Sequence, residues 1–186
     1  MTVKSGTFST AALSIDPARA SDAIEHAIRE QIQSLRRRGV VVGLSGGVDS
    51  SLVTYLCVRA LGAERVQVLL MPERDSSSDS LTLARLVTEP LGVPTMGEDI
   101  APMLVAAGCY ARQSEAIRNI FPDYGDGYRC KITLPSILDN ERLNVSSLTI
   151  ETPSGERKSS RLTTAAYLPL VAATNYKQRA RKMTEY

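Results

Sequence analysis

Residues 40–51 read VVVGLSGGVDSS, an apolar run that ends in a turn of glycines and serines. The β-branched residues of Val40 to Leu44 predict a short buried strand, and Ser50 to Leu61 predict a helix that Gly62 closes. A glycine-rich turn from a strand into a helix is typical of sites that hold an anion at the helix N-terminus. This stretch therefore predicts both a fold class and the place of a binding site.

The residues around this turn continue the same pattern. A second strand is predicted from Val66 to Met71, a helix around Leu81 to Leu91, and a short extended piece from Val93 to Met96. Before the turn, Asp16 and Pro17 mark a helix start, and an apolar stripe follows them up to Leu35. Strands that alternate with helices at this spacing predict an α/β fold, with a parallel sheet and right-handed crossovers.

The second half of the chain is less regular. SEAIRNIF (114–121) predicts a helix, PDYGDGYR (122–129) a loop, and residues 143–162 a hairpin that turns at 152–155. TNYKQRARKMTEY (174–186) predicts a final helix with Thr174 as its N-cap. In the helix after the glycine turn, Leu52, Val53, Leu56, Cys57 and Ala60 are expected to share the buried face.

Composition and charge narrow the classes of function. The chain has 186 residues, 43% of them hydrophobic, and a net charge of +2, which favours neither a nucleic acid nor a membrane partner. No signal-peptide pattern opens the chain, and no apolar run is long enough for a membrane span. The chain has three cysteines, Cys57, Cys109 and Cys130. Their odd number and their spacing favour neither a disulfide framework nor a metal site. We therefore expect a cytoplasmic protein.

Three common motifs come close to the glycine turn and fail. GLSGG (43–47) fits the nucleophile elbow of hydrolases, but the only histidine, His26, precedes it, so the general base is missing. The phosphate loop of the Walker type needs a lysine, and none occurs between Lys4 and Lys131. The dinucleotide fingerprint G-x-G-x-x-G is absent.

What remains is an anion site made of backbone N–H groups. Gly46 and Gly47 leave room for phosphate, while Ser45, Ser50 and Ser51 add hydroxyl groups. Asp49 would repel phosphate unless a cation lay between them, which predicts Mg²⁺. A site without a lysine for the γ-phosphate suits a reaction at the α-phosphate. A side chain at Gly46 is expected to harm ligand binding more than stability.

SGGVDSS (45–51) after a strand resembles the signature of the N-type ATP pyrophosphatase family. MPERDSSSDS (71–80) resembles a segment of NAD synthetases at the adenine side of the ATP site. TNYKQRARKM (174–183) resembles their N-x-x-x-R-x-R-M helix, with Lys182 inserted before the methionine. The resemblance implies a three-layer parallel sheet with flanking helices, of the adenine-nucleotide alpha-hydrolase-like type.

The resemblance also assigns site residues. It implies that Asn175 and Arg179 contact the deamido-NAD substrate and that Asp49 binds the metal. It implies ATP binding by the turn and by one residue after the second strand, namely Gly43, Leu44, Ser45, Gly46, Gly47, Val48, Asp49, Ser50, Ser51 and Ser76. No residue is needed as a covalent nucleophile.

The implied activity is that of an ammonia-dependent NAD synthetase, a carbon–nitrogen ligase that forms AMP. ATP would adenylate the carboxylate of deamido-NAD, and ammonia would then displace AMP, with magnesium and pyrophosphate leaving together. Ammonia would come from solution or from a partner glutaminase, and the family implies a homodimer. Three alternatives stay open: an amide ligase on another acid, a sulfur or RNA-thiolating transferase that uses Cys109 or Cys130, and an inactive nucleotide-binding fragment.

Two departures from the family affect the expected organisation. We expect one domain over residues 1–186, but the stretch from Asp99 to Asn175 is longer than in compact NAD synthetases, so 105–165 is expected to be an atypical insert. The chain stops at Tyr186 inside a helical pattern, before the family's GT.N..E segment and its lysine-bearing loop. We therefore expect a fragment truncated at the C-terminus, with little or no turnover of its own.

Overall fold

The computed structural model describes residues 13–77, 79–134 and 146–186, and the chain divides into two compact units, Met1–Glu98 and Asp99–Tyr186. The helices are α1 (Pro17–Ser34), α2 (Val48–Leu61), α3 (Ser80–Leu91), α4 (Ala101–Ala106), α5 (Cys109–Arg118) and α6 (Thr164–Thr184). The strands are β1 (Val40–Gly43), β2 (Val66–Leu70), β3 (Thr95–Gly97), β4 (Arg129–Thr133), β5 (Ser147–Glu151) and β6 (Arg157–Arg161). None of the helices in these described stretches is both long and apolar enough to cross a bilayer.

The first unit contains a parallel sheet in the order β1-β2-β3. Val40 pairs with Val66, and Val68 pairs with Thr95, so β2 lies in the centre. The alternating apolar residues of β2, Val66, Val68 and Leu70, are buried together with residues of α1, α2 and α3. The predicted α/β class with a parallel sheet and flanking helices is therefore confirmed.

Helix α1 begins as predicted and is joined to α2 through a buried carboxylate. The Asp16 side chain accepts hydrogen bonds from the N–H groups of Ala18 and Arg19, so it caps the helix. Further along, the Glu25 side chain is only 7% exposed and lies 2.8 Å from Arg59 Nε and 3.1 Å from a terminal nitrogen of Arg29. The two arginines compensate a charge that would otherwise be costly to bury.

The predicted buried face of α2 is partly wrong. Leu56 and Cys57 are buried, but Leu52 and Val53 are about half exposed, and Thr54 is fully buried instead. The Thr54 hydroxyl donates to the carbonyl of Ser50 at 2.8 Å, so its burial leaves no polar atom unsatisfied. Because α2 is apolar on nearly every side, periodicity alone could not fix its rotation.

The second unit contains an antiparallel sheet in the order β4-β5-β6. Leu148 and Ile150 of β5 pack with Ile117 of α5 and Leu170 of α6. The hairpin predicted within 143–162 is present from β5 to β6, whereas the part before Ser146 lies outside the described residues. The strand β4 and the helix α4 were not predicted, although the alternation of Arg129–Thr133 was a usable signal for a strand.

The final helix begins ten residues earlier than predicted. Thr163 is the N-cap of α6, and its hydroxyl accepts the N–H of Ala166 at 3.2 Å. Thr174 lies inside the helix and donates to the carbonyl of Leu170 at 3.1 Å, so its assignment as the N-cap is wrong. Pro169 lies in the second turn of α6, and the helix continues through it.

Candidate functional site

The glycine turn leads from the carboxyl end of β1 into the first turn of α2. The sheet pairing extends one residue beyond β1, because Leu44 N–H donates to the carbonyl of Leu69 at 2.9 Å. Gly47 is the N-cap of α2 and supplies no capping side chain. The first N–H groups of a helix have no partner within the helix, so an uncapped start leaves them available to a ligand.

Hydroxyl groups hold this turn in shape. Ser50 Oγ lies 3.1 Å from the carbonyl of Gly47, to which it donates, and it accepts the backbone N–H of Ser45 at 3.3 Å. Ser51 Oγ donates to the same carbonyl at 2.8 Å, and the hydroxyls of Ser45 and Ser50 are 3.2 Å apart. The serines of the motif therefore form one network that fixes the turn.

The two glycines of the turn have different surroundings. Gly46 has a φ of +80°, and a Cβ placed there would lie 2.7 Å from Leu83 Cβ and 2.9 Å from the carbonyl oxygen of Ser80. Gly47 has a φ of −74°, and its nearest contact would be Ser45 Oγ at 3.4 Å. The expectation that a side chain at Gly46 harms binding more than stability is therefore wrong, because α3 occupies that space.

Asp49 lies on the first turn of α2 with an exposed side chain. Within the described ranges, no group of three or more His, Cys, Asp or Glu side chains is arranged to hold a metal ion. Mg²⁺ usually keeps several waters and binds through one or two carboxylates together with substrate phosphates. An exposed carboxylate beside uncapped N–H groups fits this mode of binding.

Ser76 lies in the loop that follows β2, the strand beside β1. Its hydroxyl accepts the N–H of Glu73 at 3.0 Å, and its own N–H donates to the carbonyl of Glu73 at 2.9 Å. Ser76 therefore closes a local turn at the same edge of the sheet as the glycine turn. The sequence did not indicate that Ser80 and Leu83, which follow this loop, pack against Gly46.

Asn175 and Arg179 lie one turn apart on the exposed surface of α6. The rotation of α6 is set by a buried stripe that includes Ala173, Lys177 and Ala180. Lys177 Nζ lies 5.0 Å from the centre of the Tyr110 ring, a distance at which a cation interacts with the ring face. A basic run such as KQRAR suggests a solvated helix, so sequence reasoning missed that Lys177 is buried.

The structure gives the cysteines a packing role. Burial raises the pKa of the Cys57 thiol, which lowers the fraction of reactive thiolate. Cys109 is buried and donates to the carbonyl of Ala173 at 3.6 Å. Cys130 is adjacent in sequence to Arg129 and Lys131, but it packs against the core of the second unit, while strand alternation directs its neighbours to the opposite face.

A depression of about 760 Å³ lies at the amino ends of the parallel strands. Its lining includes Arg37, Arg38, Val41, Arg65 and Pro94. Ligands of open α/β sheets bind at the carboxyl ends of the strands, which in this chain is the edge that carries the glycine turn. The volume of a depression is therefore not a guide to the functional site in this unit.

Comparison with known proteins places these features in a family. The NAD synthase family model matches residues 20–122. An NH3-dependent NAD+ synthetase of Mesorhizobium japonicum is 54% identical over 175 residues, which make up 94% of this chain and 55% of that protein. One of Rhizobium meliloti is 49% identical over 179 residues, 96% of this chain and 54% of that protein.

Among solved structures, the NH3-dependent NAD synthetase of Campylobacter jejuni in complex with the nitrate ion is 31% identical, with a TM-score of 0.46. That match covers 57% of this chain and 50% of the Campylobacter chain. The present chain thus spans about 55% of the length of the curated relatives it matches.

Proposed function

This chain belongs to the NAD synthase family, and we propose that it serves in the ATP-dependent amidation of deamido-NAD by ammonia. The observation that carries the proposal is the glycine turn itself. Gly46 holds a backbone conformation that other residues rarely adopt, and Gly47 leaves the start of α2 uncapped and open. This arrangement suits the phosphates of ATP, which we propose bind at Gly43–Ser51 with Ser76 nearby.

The roles of the remaining residues follow from their chemistry. The N–H groups at the start of α2 are fixed donors, so they would bind negative charge on the leaving pyrophosphate with little reorganisation. Asn175 and Arg179 would hold the substrate, with the planar guanidinium of Arg179 suited to an anionic group. Both substrates would be positioned by the chain, and no covalent intermediate with the protein is required.

Mg²⁺ is proposed as the partner of Asp49. When bound, it would neutralise charge between this carboxylate and the phosphates. The exposure of Asp49 on the first turn of α2 supports this role. We also propose that residues 1–186 belong to one ATP pyrophosphatase-type domain with an atypical insert over 105–165, in a cytoplasmic homodimer that takes ammonia from solution or from a partner glutaminase.

Binding of Mg·ATP tests the site directly. In calorimetric titrations, Asp49→Ala should weaken Mg·ATP binding by about tenfold or more, since a charge-assisted contact is lost. Glu64→Gln is the matched control, because Glu64 is exposed just after the C-terminal end of α2, beside the amino ends of the strands, and should leave the affinity unchanged. Equal affinities for wild type and Asp49→Ala would contradict the metal role.

Product formation tests the reaction. Pyrophosphate should form when ATP and deamido-NAD are both present, whereas AMP and the amide should form only when ammonia is added as well. AMP release that is independent of ammonia would contradict the amidation, and product formation that requires a different carboxylic acid would reassign the substrate.

A further inference from the structure

The polar face of the antiparallel sheet in the second unit carries a concentration of positive charge. Leu148 and Ile150 point into the core, so the alternate residues of each strand occupy the opposite face. The strand pairing aligns Arg129, Glu151 and Arg157 in one row, and Lys131, Thr149 and Ser159 in the next. Positive charge on this face is therefore set by the register of three strands.

A depression of about 220 Å³ lies on this sheet and is lined by side chains of both rows, including Arg129, Lys131, Thr149, Glu151 and Arg157. Three positive side chains and one negative side chain leave two positive charges in the lining. Glu151 accepts a hydrogen bond from Arg157 Nε at 2.6 Å. Among the described residues, the side chains of Arg129 and Lys131 have no partner in a hydrogen bond or ion pair.

The positive charges around this depression act on the Glu151 carboxyl. Hydrogen bonding and charge from Arg157, followed by the charges of Arg129 and Lys131, hold the pKa of the Glu151 carboxyl below its usual range. The carboxylate therefore stays ionised and neutralises only one of the three cations. A dianion would match the charge that remains.

We propose that this depression binds the phosphoryl group of a small molecule, held by Arg129 and Lys131. The planar guanidinium of Arg129 can donate two parallel hydrogen bonds to phosphate oxygens, and Lys131 adds a compact point charge from the next row. The volume is below the roughly 300–1,000 Å³ of pockets that enclose drug-sized ligands, so the site suits a free anion or the phosphoryl end of a larger molecule.

The same face is poorly suited to nucleic acid. Proteins that bind single strands combine basic grooves with aromatic rings on which the bases stack. The side chains of this face are arginine, lysine, glutamate, serine and threonine, with no aromatic ring among them. The inference rests only on the second unit, so it stands or falls separately from the ATP site of the first unit.

The test uses the 186-residue chain labelled with ¹⁵N and kept free of metal by a chelator. Inorganic phosphate and AMP are titrated in separate experiments, and the amide signals of Lys131 and Thr149 are followed. Both probes should shift these signals to saturation. Similar affinities would identify the phosphoryl group as the whole determinant, whereas tighter binding of AMP would identify a phosphorylated nucleoside as the better ligand.

Variants decide whether the named residues are responsible. Arg129→Gln combined with Lys131→Gln should weaken phosphate binding by about tenfold or more. The control Arg161→Gln removes a positive charge from the same sheet face, two rows from Arg129, and should leave the affinity within about twofold. Lys131→Gln alone gives an intermediate loss and serves if the double variant does not fold.

Three results would overturn the proposal. The first is unchanged phosphate affinity in the double variant, and the second is an equal loss in Arg161→Gln, which would indicate general surface charge. The third is saturable binding of polyuridylate at these amides without binding of phosphate, which would make the face a nucleic-acid surface.

Discussion

The candidate sites of the two compact units are made of different chemical groups. In the first unit, the glycine turn offers backbone N–H groups at the start of α2, and its serines mainly hold the turn in shape. In the second unit, the sheet β4-β5-β6 offers charged side chains that strand register brings together. A backbone site depends on local conformation, so glycine substitutions should break it. A side-chain site depends on charge, so it should respond to charge reversal and to salt.

The ion pairs of the two units differ in the same way. Glu25 in the first unit is 7% exposed and has two arginine partners, while Glu151 in the second is 28% exposed and is paired with Arg157. A buried carboxylate with two arginine partners contributes strong charge-assisted contacts, whereas water screens an exposed pair. The following predictions test this comparison, starting with the largest expected effect.

Gly46→Val should unfold the first unit and abolish nucleotide binding. A side chain at a φ of +80° costs about 1–3 kcal/mol in backbone strain, and the contacts with Leu83 and Ser80 add about 1–3 kcal/mol from overpacking. Chemical denaturation followed by circular dichroism would measure the loss. A variant as stable as wild type would show that α3 can move away from the turn, and the site would then depend less on packing than we infer.

Glu25→Ala should lower the free energy of unfolding by about 1.5–3 kcal/mol, because α1 and α2 would lose the charge-assisted contacts of Glu25 with Arg29 and Arg59. Glu30→Ala is the control on the same helix, since among the described residues Glu30 forms an ion pair only with the exposed His26, and its loss should cost less than about 0.5 kcal/mol. Thermal and denaturant unfolding would compare the two variants. Similar losses for both would contradict the distinction between buried and exposed pairs.

Gly47→Ala should separate binding from stability. Its backbone conformation suits any residue and its nearest contact is Ser45 Oγ, so the free energy of unfolding should change by less than about 1 kcal/mol. The added methyl group lies beside the uncapped start of α2 and should weaken Mg·ATP binding about tenfold. Calorimetry with ATP would measure this change. Full affinity in the folded variant would argue against phosphate binding at these N–H groups.

Acid should reduce the contribution of the Glu151–Arg157 pair to the stability of the folded chain. Because the folded-state pKa of Glu151 is lowered, its stabilising effect is present above the pKa of the unfolded chain and is lost as the pH falls through the folded value. The difference in Tm between wild type and Glu151→Gln should therefore shrink from about pH 6 to about pH 3. A difference that stays constant over this range would show that the ionised pair does not stabilise the hairpin.

The parallel half of the molecule was largely predictable from the sequence. The β-branched runs, the glycine turn and the cap at Asp16 are local signals, because β-branched side chains favour strands, glycine permits a positive φ and an aspartate side chain caps a helix. The predicted α/β class, the parallel pairing of the first three strands and the hairpin from β5 to β6 are confirmed for this reason. The assignment of Gly43–Ser51, Ser76, Asn175 and Arg179 to substrates stays a prediction.

Tertiary structure decided what local signals could not. The sequence alone determined where the chain turns, caps and alternates, since those features depend on neighbours a few residues away. Only the folded chain showed that α3 fills the space beside Gly46, that Lys177 is buried against Tyr110, and that Arg129 lies in one row with Arg157. Each of these contacts joins residues far apart in the chain, and its energy depends on packing and register, which no short segment of sequence specifies.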